Sequence, residues 1–181
     1  GAVHLRRHGA GGRHSAMTRE DANPRDAFAP ALAVIAMIAL AGRLLFLYGS
    51  RHWVLRGDGY AYRIEAARLL EGQVQGPLHP PAWTFLVAVP PGLGFDGRIH
   101  QQVFTALIGV ATVVMIGLAG RYVFGRRVGL IAAAIAAVYP NMWIYEREIL
   151  SEPLTMFMVA TTILVVYRFR DRPSTAGAAG L

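Results

Sequence analysis

Residues 27–49 read AFAPALAVIAMIALAGRLLFLYG, a run of 23 residues with one charged side chain, Arg43. An α-helix rises about 1.5 Å per residue, so this run is long enough to cross the ~30 Å hydrocarbon core of a bilayer. Three more apolar runs follow at residues 103–120, 128–145 and 150–167. A chain of 181 residues cannot bury four such runs in a soluble core. The sequence therefore predicts an all-α, polytopic membrane protein with four transmembrane helices.

The composition also favours a membrane protein over a soluble enzyme. Charged residues make up 16% of the chain, whereas a soluble domain carries about 25%. The absence of cysteine excludes disulfides, thiolate nucleophiles and cysteine-based zinc sites. The net charge of +7 does not indicate a nucleic-acid partner, because all 18 cationic residues are arginines, and all but Arg43 lie outside the apolar runs.

The distribution of the arginines predicts an orientation. Four helices would place residues 1–26, 121–127 and 168–172 on one side, and these segments are rich in arginine. The positive-inside rule assigns that side to the cytoplasm. The outer side then receives the long loop 50–102 and the short turn 145–151. We expect an integral protein of a bacterial plasma membrane with a cytoplasmic N-terminus, in contact with membrane lipids.

The ends of the chain suggest how it is organised. Residues 1–26 form an Arg-rich segment, within which we expect Met17 to be the native start. The first apolar run is too long for the core of a signal peptide and no A-x-A site follows it, so we expect it to be retained. Residues 27–172 then form the transmembrane module, and residues 173–181 resemble the beginning of a longer loop.

Two short segments of the outer loop are predicted to lie in the membrane interface. Apolar residues recur at helical spacing over residues 59–71, which is typical of an amphipathic interfacial helix, and Gly72 ends it. The motif His79-Pro80-Pro81 forces an extended turn. Residues 82–89 form a second apolar segment that is too short to span, so we expect an interfacial or re-entrant helix.

Asp58 lies directly before the amphipathic helix, between Gly57 and Gly59. Aspartate is a preferred residue for a helix N-cap. A carboxylate at the outer surface could instead accept a proton from a substrate hydroxyl. The two roles are only partly compatible, because a capping oxygen is already occupied.

A second acidic cluster is predicted on the same face, at Glu146, Glu148 and Glu152. Acidic residues stabilise a helix N-terminus, which is a sufficient explanation for one of them. An ionisable residue at the margin of a span is nevertheless a functional candidate. The topology brings this cluster and Asp58 to one side, although about 90 residues separate them in sequence.

Basic side chains of the outer face could bind a phosphate group through paired hydrogen bonds. The candidates are Arg51, Arg56, Arg98 and Arg147. Contact with lipid headgroups explains each of them equally well. Arg43 is expected to extend toward the interface or to pair with an acid. His79 could act as a ligand or base, but a role in shaping the turn is favoured, and no residue spacing predicts a metal site.

The ordered segments resemble a known family. RLLFLYG (43–49) is followed by GDGYAYRIEAARLLEG (57–72), HPPAWTFLVA (79–88), GRYVFGRRVGLIAAAIAAVYP (120–140) and YEREILSEPLTMFMVATTILVVY (145–167). This set is similar to the N-terminal part of C-type membrane glycosyltransferases, and most similar to the group of dolichyl-phosphate-mannose–protein mannosyltransferases and aminoarabinose transferases. The order and the topology carry the resemblance, since no single motif is specific.

The resemblance implies an inverting transfer of a hexose or pentose from a polyprenyl-phosphate donor to a lipid, glycan or protein acceptor on the extracytoplasmic side. Asp58 matches the catalytic carboxylate of the family, and Glu152 matches a second acid before a proline. The residues expected to contact the substrate are Arg56, His79, Glu146 and Arg147. No cofactor is expected, and a divalent cation, which some C-type transferases use, has no support in this sequence.

Two departures from the family matter. Gly59 follows Asp58, whereas mannosyltransferases with paired acids carry a second acid in this loop, which argues against a protein acceptor. Family members are also several times longer, so we expect this chain to be an N-terminal fragment that is inactive alone. The alternative is a non-catalytic four-span protein, such as a transporter subunit or scaffold, in which Asp58 caps its helix.

Overall fold

The computed structural model describes residues 27–73 and 79–171, and within these ranges the chain forms eight α-helices and no strand. In chain order they are α1 (Phe28–Gly49), α2 (Asp58–Leu70), α3 (Pro81–Val87), α4 (Val89–Gly92), α5 (Arg98–Phe124), α6 (Arg126–Ala137), α7 (Pro140–Arg147) and α8 (Glu152–Asp171). The expected Arg-rich segment 1–26 with Met17, and the loop 173–181, lie outside the described residues.

The described helices have the length and the surface of membrane-embedded elements. Helices α1, α5 and α8 are long and apolar enough to cross a membrane, and α6 with α7 makes a fourth candidate if the bent pair counts as one span. Large apolar side chains on α1 and α6 stay uncovered, with Met37 65%, Leu45 71% and Ile135 61% exposed. A soluble protein rarely leaves so much apolar surface in water. These features confirm the predicted all-helical class and indicate a membrane-embedded protein.

The third apolar run, residues 128–145, is not the single straight helix that its hydropathy predicted. It is divided into α6 and α7, which are bent by 48° relative to each other. The cause is Pro140, which lacks an amide hydrogen and disfavours a helical conformation in the residue before it. Tyr139 accordingly has φ −73° and ψ 112°. The freed carbonyl of Ala137 accepts a hydrogen bond from the Arg43 side chain at 3.2 Å.

The helix α5 begins at Arg98, before the predicted start at residue 103. The difference arises from Gln101 and Gln102, which lower the hydropathy of this segment but are both buried. Gln101 donates to the carbonyl of Val87 at 3.1 Å, and Gln102 donates to a carbonyl at the end of α7 at 2.6 Å. Buried amides with such partners are compatible with a helix that continues into the loop region.

Contacts join the described segments at the two ends of the helical bundle. The loop between α1 and α5 meets the turn between α7 and α8, where Trp83 donates to the carbonyl of Ile149 at 3.0 Å. At the other end, the hydroxyl of Tyr122 on α5 donates to Asp171 on α8 at 3.0 Å. We call the first of these ends the loop face and the second the arginine face.

Helices α5 and α6 form a close hairpin that depends on glycine. A Cβ atom on Gly129 would lie 2.6 Å from both the amide nitrogen of Arg121 and the carbonyl oxygen of Gly117. These are backbone atoms, which cannot move away without shifting the helix. The absence of a side chain therefore permits this contact, as small residues do between helices in membranes.

We expect Gly129→Ala to destabilise the protein by about 1–3 kcal/mol, because the added methyl group overpacks the hairpin. Alanine is normally more favourable in a helix than glycine by up to about 1 kcal/mol. A loss of stability in Gly129→Ala would therefore indicate overpacking. The matched control is Gly49→Ala in α1, where no atom lies within 4 Å of the new Cβ. Thermal unfolding in detergent measures both; a stabilised Gly129→Ala variant would contradict the packing described here.

Candidate functional site

The turn between α7 and α8 supports the loop helices. Ile149 in this turn is fully buried and has a φ of 57°, which is rare for a β-branched residue. Its carbonyl binds the indole of Trp83 on α3. On α2, a Cβ atom at Gly59 would overlap the carbonyl oxygen of Glu148, so the two backbones are in direct contact. Asp58 and the turn of the acidic cluster therefore lie together, as the topology predicted.

Asp58 is the first residue of α2 and does not cap it. The N-cap position belongs to Gly57, whose φ is 57°, and no side chain makes a capping hydrogen bond there. The interpretation of Asp58 as an N-cap is therefore wrong. Its side chain is 72% exposed, with Oδ1 at 3.8 Å from Nε2 of His79. The carboxylate of Asp58 is thus accessible from solvent, while the adjacent backbone at Gly59 is packed against Glu148.

The imidazole of His79 connects Asp58 to a second carboxylate, that of Glu65. Nδ1 of His79 lies 2.7 Å from Oε1 of Glu65, and the other oxygen of Glu65 accepts a hydrogen bond from Thr84 at 3.2 Å. The Tyr62 ring lies 4.8 Å from the imidazole. The hydrogen bond to Glu65 raises the pKa of His79 above its ordinary value, and Asp58 adds a smaller contribution in the same direction.

Glu65 was missed by the sequence analysis. The signal for it is its spacing from Asp58, because residues seven apart lie on the same face of a helix. This face of α2 carries Asp58 and Glu65 on either side of the His79 ring. The described site is therefore a carboxylate–imidazole–carboxylate arrangement, which can hold a positive charge next to an exposed base.

Arg43 and Glu146 form a buried ion pair inside the helical bundle. Nε of Arg43 lies 2.9 Å from Oε2 of Glu146, and both residues are 1% exposed. The backbone of Gly109 on α5 leaves room for the pair, since a Cβ there would overlap the carboxylate. Of the two expectations for Arg43, the structure shows pairing with an acid. The carboxylate of Glu146, an expected substrate contact, is enclosed in this pair.

The other expected site residues, Arg56, Arg147 and Glu152, do not meet at one point. Arg147 pairs with Glu148 at 2.8 Å, and its guanidinium lies 4.2 Å from the centre of the Trp53 ring. Arg56 is exposed, and Glu152 is half-buried at the first position of α8. Within the described ranges, no hydrogen bond or ion pair joins Arg56 or Glu152 to the carboxylate at the start of α2.

Neither the described residues nor the comparisons with known proteins identify a cofactor or a family. Among residues 27–73 and 79–171, no three His, Asp or Glu side chains are grouped as metal ligands would be. No protein-family model, no curated protein and no solved structure matches the chain. The resemblance to C-type glycosyltransferases therefore stays a prediction.

We expect the Arg43–Glu146 pair to show strong coupling in a double-mutant cycle. Either single change, Arg43→Met or Glu146→Leu, leaves an unpaired buried charge and should cost about 3–5 kcal/mol of unfolding free energy. The double variant should cost much less than the sum of the two. Arg170→Gln, which breaks an exposed pair, is the control and should be nearly silent. Unfolding in mixed micelles measures all four variants, and additive costs would contradict the coupling.

We also expect a pH dependence that comes from His79. Its folded-state pKa lies above the ordinary value of 6.5, so its protonated form stabilises the fold. This contribution is fully present below about pH 6.5 and is lost as the pH rises through the folded-state pKa. His79→Gln should remove this part of the pH dependence of the unfolding temperature, whereas His52→Gln at an exposed position should leave it. An unchanged pH profile in His79→Gln would overturn the assignment.

Proposed function

We propose that the chain acts in a membrane glycosyltransferase that moves a sugar from a polyprenyl-phosphate donor to an acceptor at the loop face. The observation that carries this proposal is the carboxylate of Asp58. It is 72% exposed and makes no capping bond, although it sits on the first turn of a helix that is packed against the α7–α8 turn. An exposed charged group on a fixed backbone is suited to a substrate and not to fold stability.

In the proposed reaction, Asp58 takes the proton of an acceptor hydroxyl while the hydroxyl oxygen attacks the anomeric carbon of the donor sugar. The bond between that carbon and the phosphate oxygen breaks, and the lipid phosphate leaves with the electron pair. A single displacement of this kind inverts the configuration at the anomeric carbon. A positioned general base contributes about 10²–10⁴-fold to such a step.

The surroundings of Asp58 support this role electrostatically. His79, whose pKa is raised by its hydrogen bond to Glu65, lies 3.8 Å from the Asp58 carboxylate. In its protonated form this imidazole can stabilise the phosphate charge that develops. Arg56, exposed two residues before Asp58, is our candidate for a second phosphate contact, and Glu152 for a second acid. Glu146 is left out, because its carboxylate is committed to Arg43.

The same proposal includes an orientation in a bacterial plasma membrane. Helices α1, α5 and α8 would each span the membrane, and α6 with α7 would form a bent fourth span. The arginine face carries the cations of the α5–α6 turn and of the end of α8: Arg121, Arg126, Arg127, Arg168 and Arg170. The positive-inside rule then places the loop face, and with it Asp58, on the extracytoplasmic side.

We expect Asp58→Asn to lower sugar transfer by at least about 100-fold without lowering membrane insertion or protein level. The amide has the size of the carboxylate but cannot take a proton. The assay uses membranes from cells that express the complete reading frame, supplied with polyprenyl-phosphate-linked [14C]mannose or [14C]arabinose, and measures label transferred to acceptor.

The matched control for this experiment is Asp96→Asn, which removes another exposed acid of the same loop. The control should retain wild-type transfer, because Asp96 lies outside the Asp58–His79–Glu65 arrangement. If Asp58→Asn retains full activity, Asp58 is not the base. If the wild-type protein transfers neither sugar, the non-catalytic alternative of a transporter subunit or scaffold is favoured instead.

A further inference from the structure

A cavity of about 590 Å³ lies between the last turns of α1 and the first turns of α5, on the loop face. Aliphatic side chains line it, among them Leu47, Ile99 and Val103. Two arginines, Arg51 and Arg98, also line it, and we call this pair the Arg51–Arg98 rim. Four arginines of this face were candidates for phosphate binding in the sequence, and the structure brings these two together around one cavity.

Backbone carbonyls hold both guanidinium groups at the rim. Arg98 donates to the carbonyl of Arg51 at 2.6 Å and to the carbonyl of Trp53. Arg51 donates to the carbonyl of Tyr48 at 3.2 Å, and its guanidinium lies 4.6 Å from the centre of that tyrosine ring. A guanidinium has five N–H donors, so most of the donors of both groups remain available to a ligand.

Among the residues that the structure describes, no acidic side chain lines the cavity, so the charge of the two arginines is not balanced there. The positive field extends to Arg63 on α2. Burial lowers the pKa of Arg63, and repulsion by Arg98 lowers it further, while Asp96 offsets this in part. Two fixed cations above an aliphatic wall match a ligand with an anionic head and a hydrocarbon chain.

We propose that this cavity binds one anionic membrane lipid, with its phosphate between Arg51 and Arg98 and an acyl chain along Leu47, Ile99 and Val103. A soluble phosphate would leave the aliphatic walls unfilled. A lipid can enter from the side, because α1 and α5 are both long and apolar enough to cross a membrane. The site is distinct from the Asp58 arrangement and does not depend on the proposed sugar transfer.

The test uses the purified protein in phosphatidylcholine nanodiscs that contain a small fraction of phosphatidylglycerol with a diazirine in its acyl chain. After photolysis, mass spectrometry measures the yield of cross-linked peptides from the end of α1 and the start of α5. We expect unlabelled phosphatidylglycerol, but not added phosphatidylcholine, to suppress this yield. The double variant Arg51→Gln/Arg98→Gln should lower it about tenfold, which corresponds to the loss of roughly one charge-assisted hydrogen bond.

Two further variants separate a lipid site from general surface charge. Arg68→Glu changes the net charge of the same face by the same two units at one exposed position that does not line the cavity, and should leave the yield within about twofold. Ile99→Trp keeps both arginines but fills the aliphatic part of the cavity, and should also suppress cross-linking. Size-exclusion profiles and unfolding temperatures verify that each variant is folded.

Three results would overturn this proposal. Equal losses in Arg51→Gln/Arg98→Gln and in Arg68→Glu would mean that only the surface potential attracts the lipid. An unchanged yield in Ile99→Trp would mean that the chain does not occupy the cavity. Failure of unlabelled phosphatidylglycerol to compete would mean that no specific site exists.

Discussion

The ion pair between Arg43 and Glu146 is the interaction on which the described fold depends. It joins the last third of α1 to α7, and both partners are 1% exposed. A charged pair in such surroundings persists only when hydrogen bonds satisfy it. The bend at Pro140 provides one of these bonds, because it frees the carbonyl of Ala137 for the Arg43 guanidinium. The kink and the ion pair are therefore two parts of a single arrangement.

The position of α7 fixes the loop face. Its last residues lead into the turn at Ile149, which receives the Trp83 indole and lies beside Gly59. Because these contacts involve backbone atoms, the start of α2 has little freedom to move relative to the bundle. The exposed carboxylate of Asp58 is held by this chain of contacts and not by bonds of its own. The buried Arg43–Glu146 pair thus helps to position the carboxylate of Asp58, which stays exposed to solvent.

The sequence was sufficient for the helical class and for the length of α1, because hydropathy depends on the membrane and not on tertiary contacts. It was not sufficient where partners distant in sequence decide the conformation. Pro140 itself predicts a bend, but hydropathy alone predicts one continuous helix over residues 128–145. The interpretation of Asp58 as the N-cap of α2 was wrong, because Gly57, with its positive φ, occupies the N-cap position. The contact of Glu65 with His79 and the approach of Arg98 to Arg51 become visible only when the loop is folded.

The loop face carries the two proposed sites at different places, the carboxylate of Asp58 on α2 and the Arg51–Arg98 rim between α1 and α5. A base must be free to take a proton, and the side chain of Asp58 is 72% exposed, with the imidazole of His79 3.8 Å from its carboxylate. A lipid phosphate instead needs several directed donors above an apolar wall, which the Arg51–Arg98 rim provides. Arginines placed directly beside Asp58 would close it in an ion pair, as Arg43 does to Glu146. In the proposed enzyme, keeping the paired guanidinium groups at the α1–α5 cavity and a single imidazole at Asp58 therefore preserves both the base and the lipid contact.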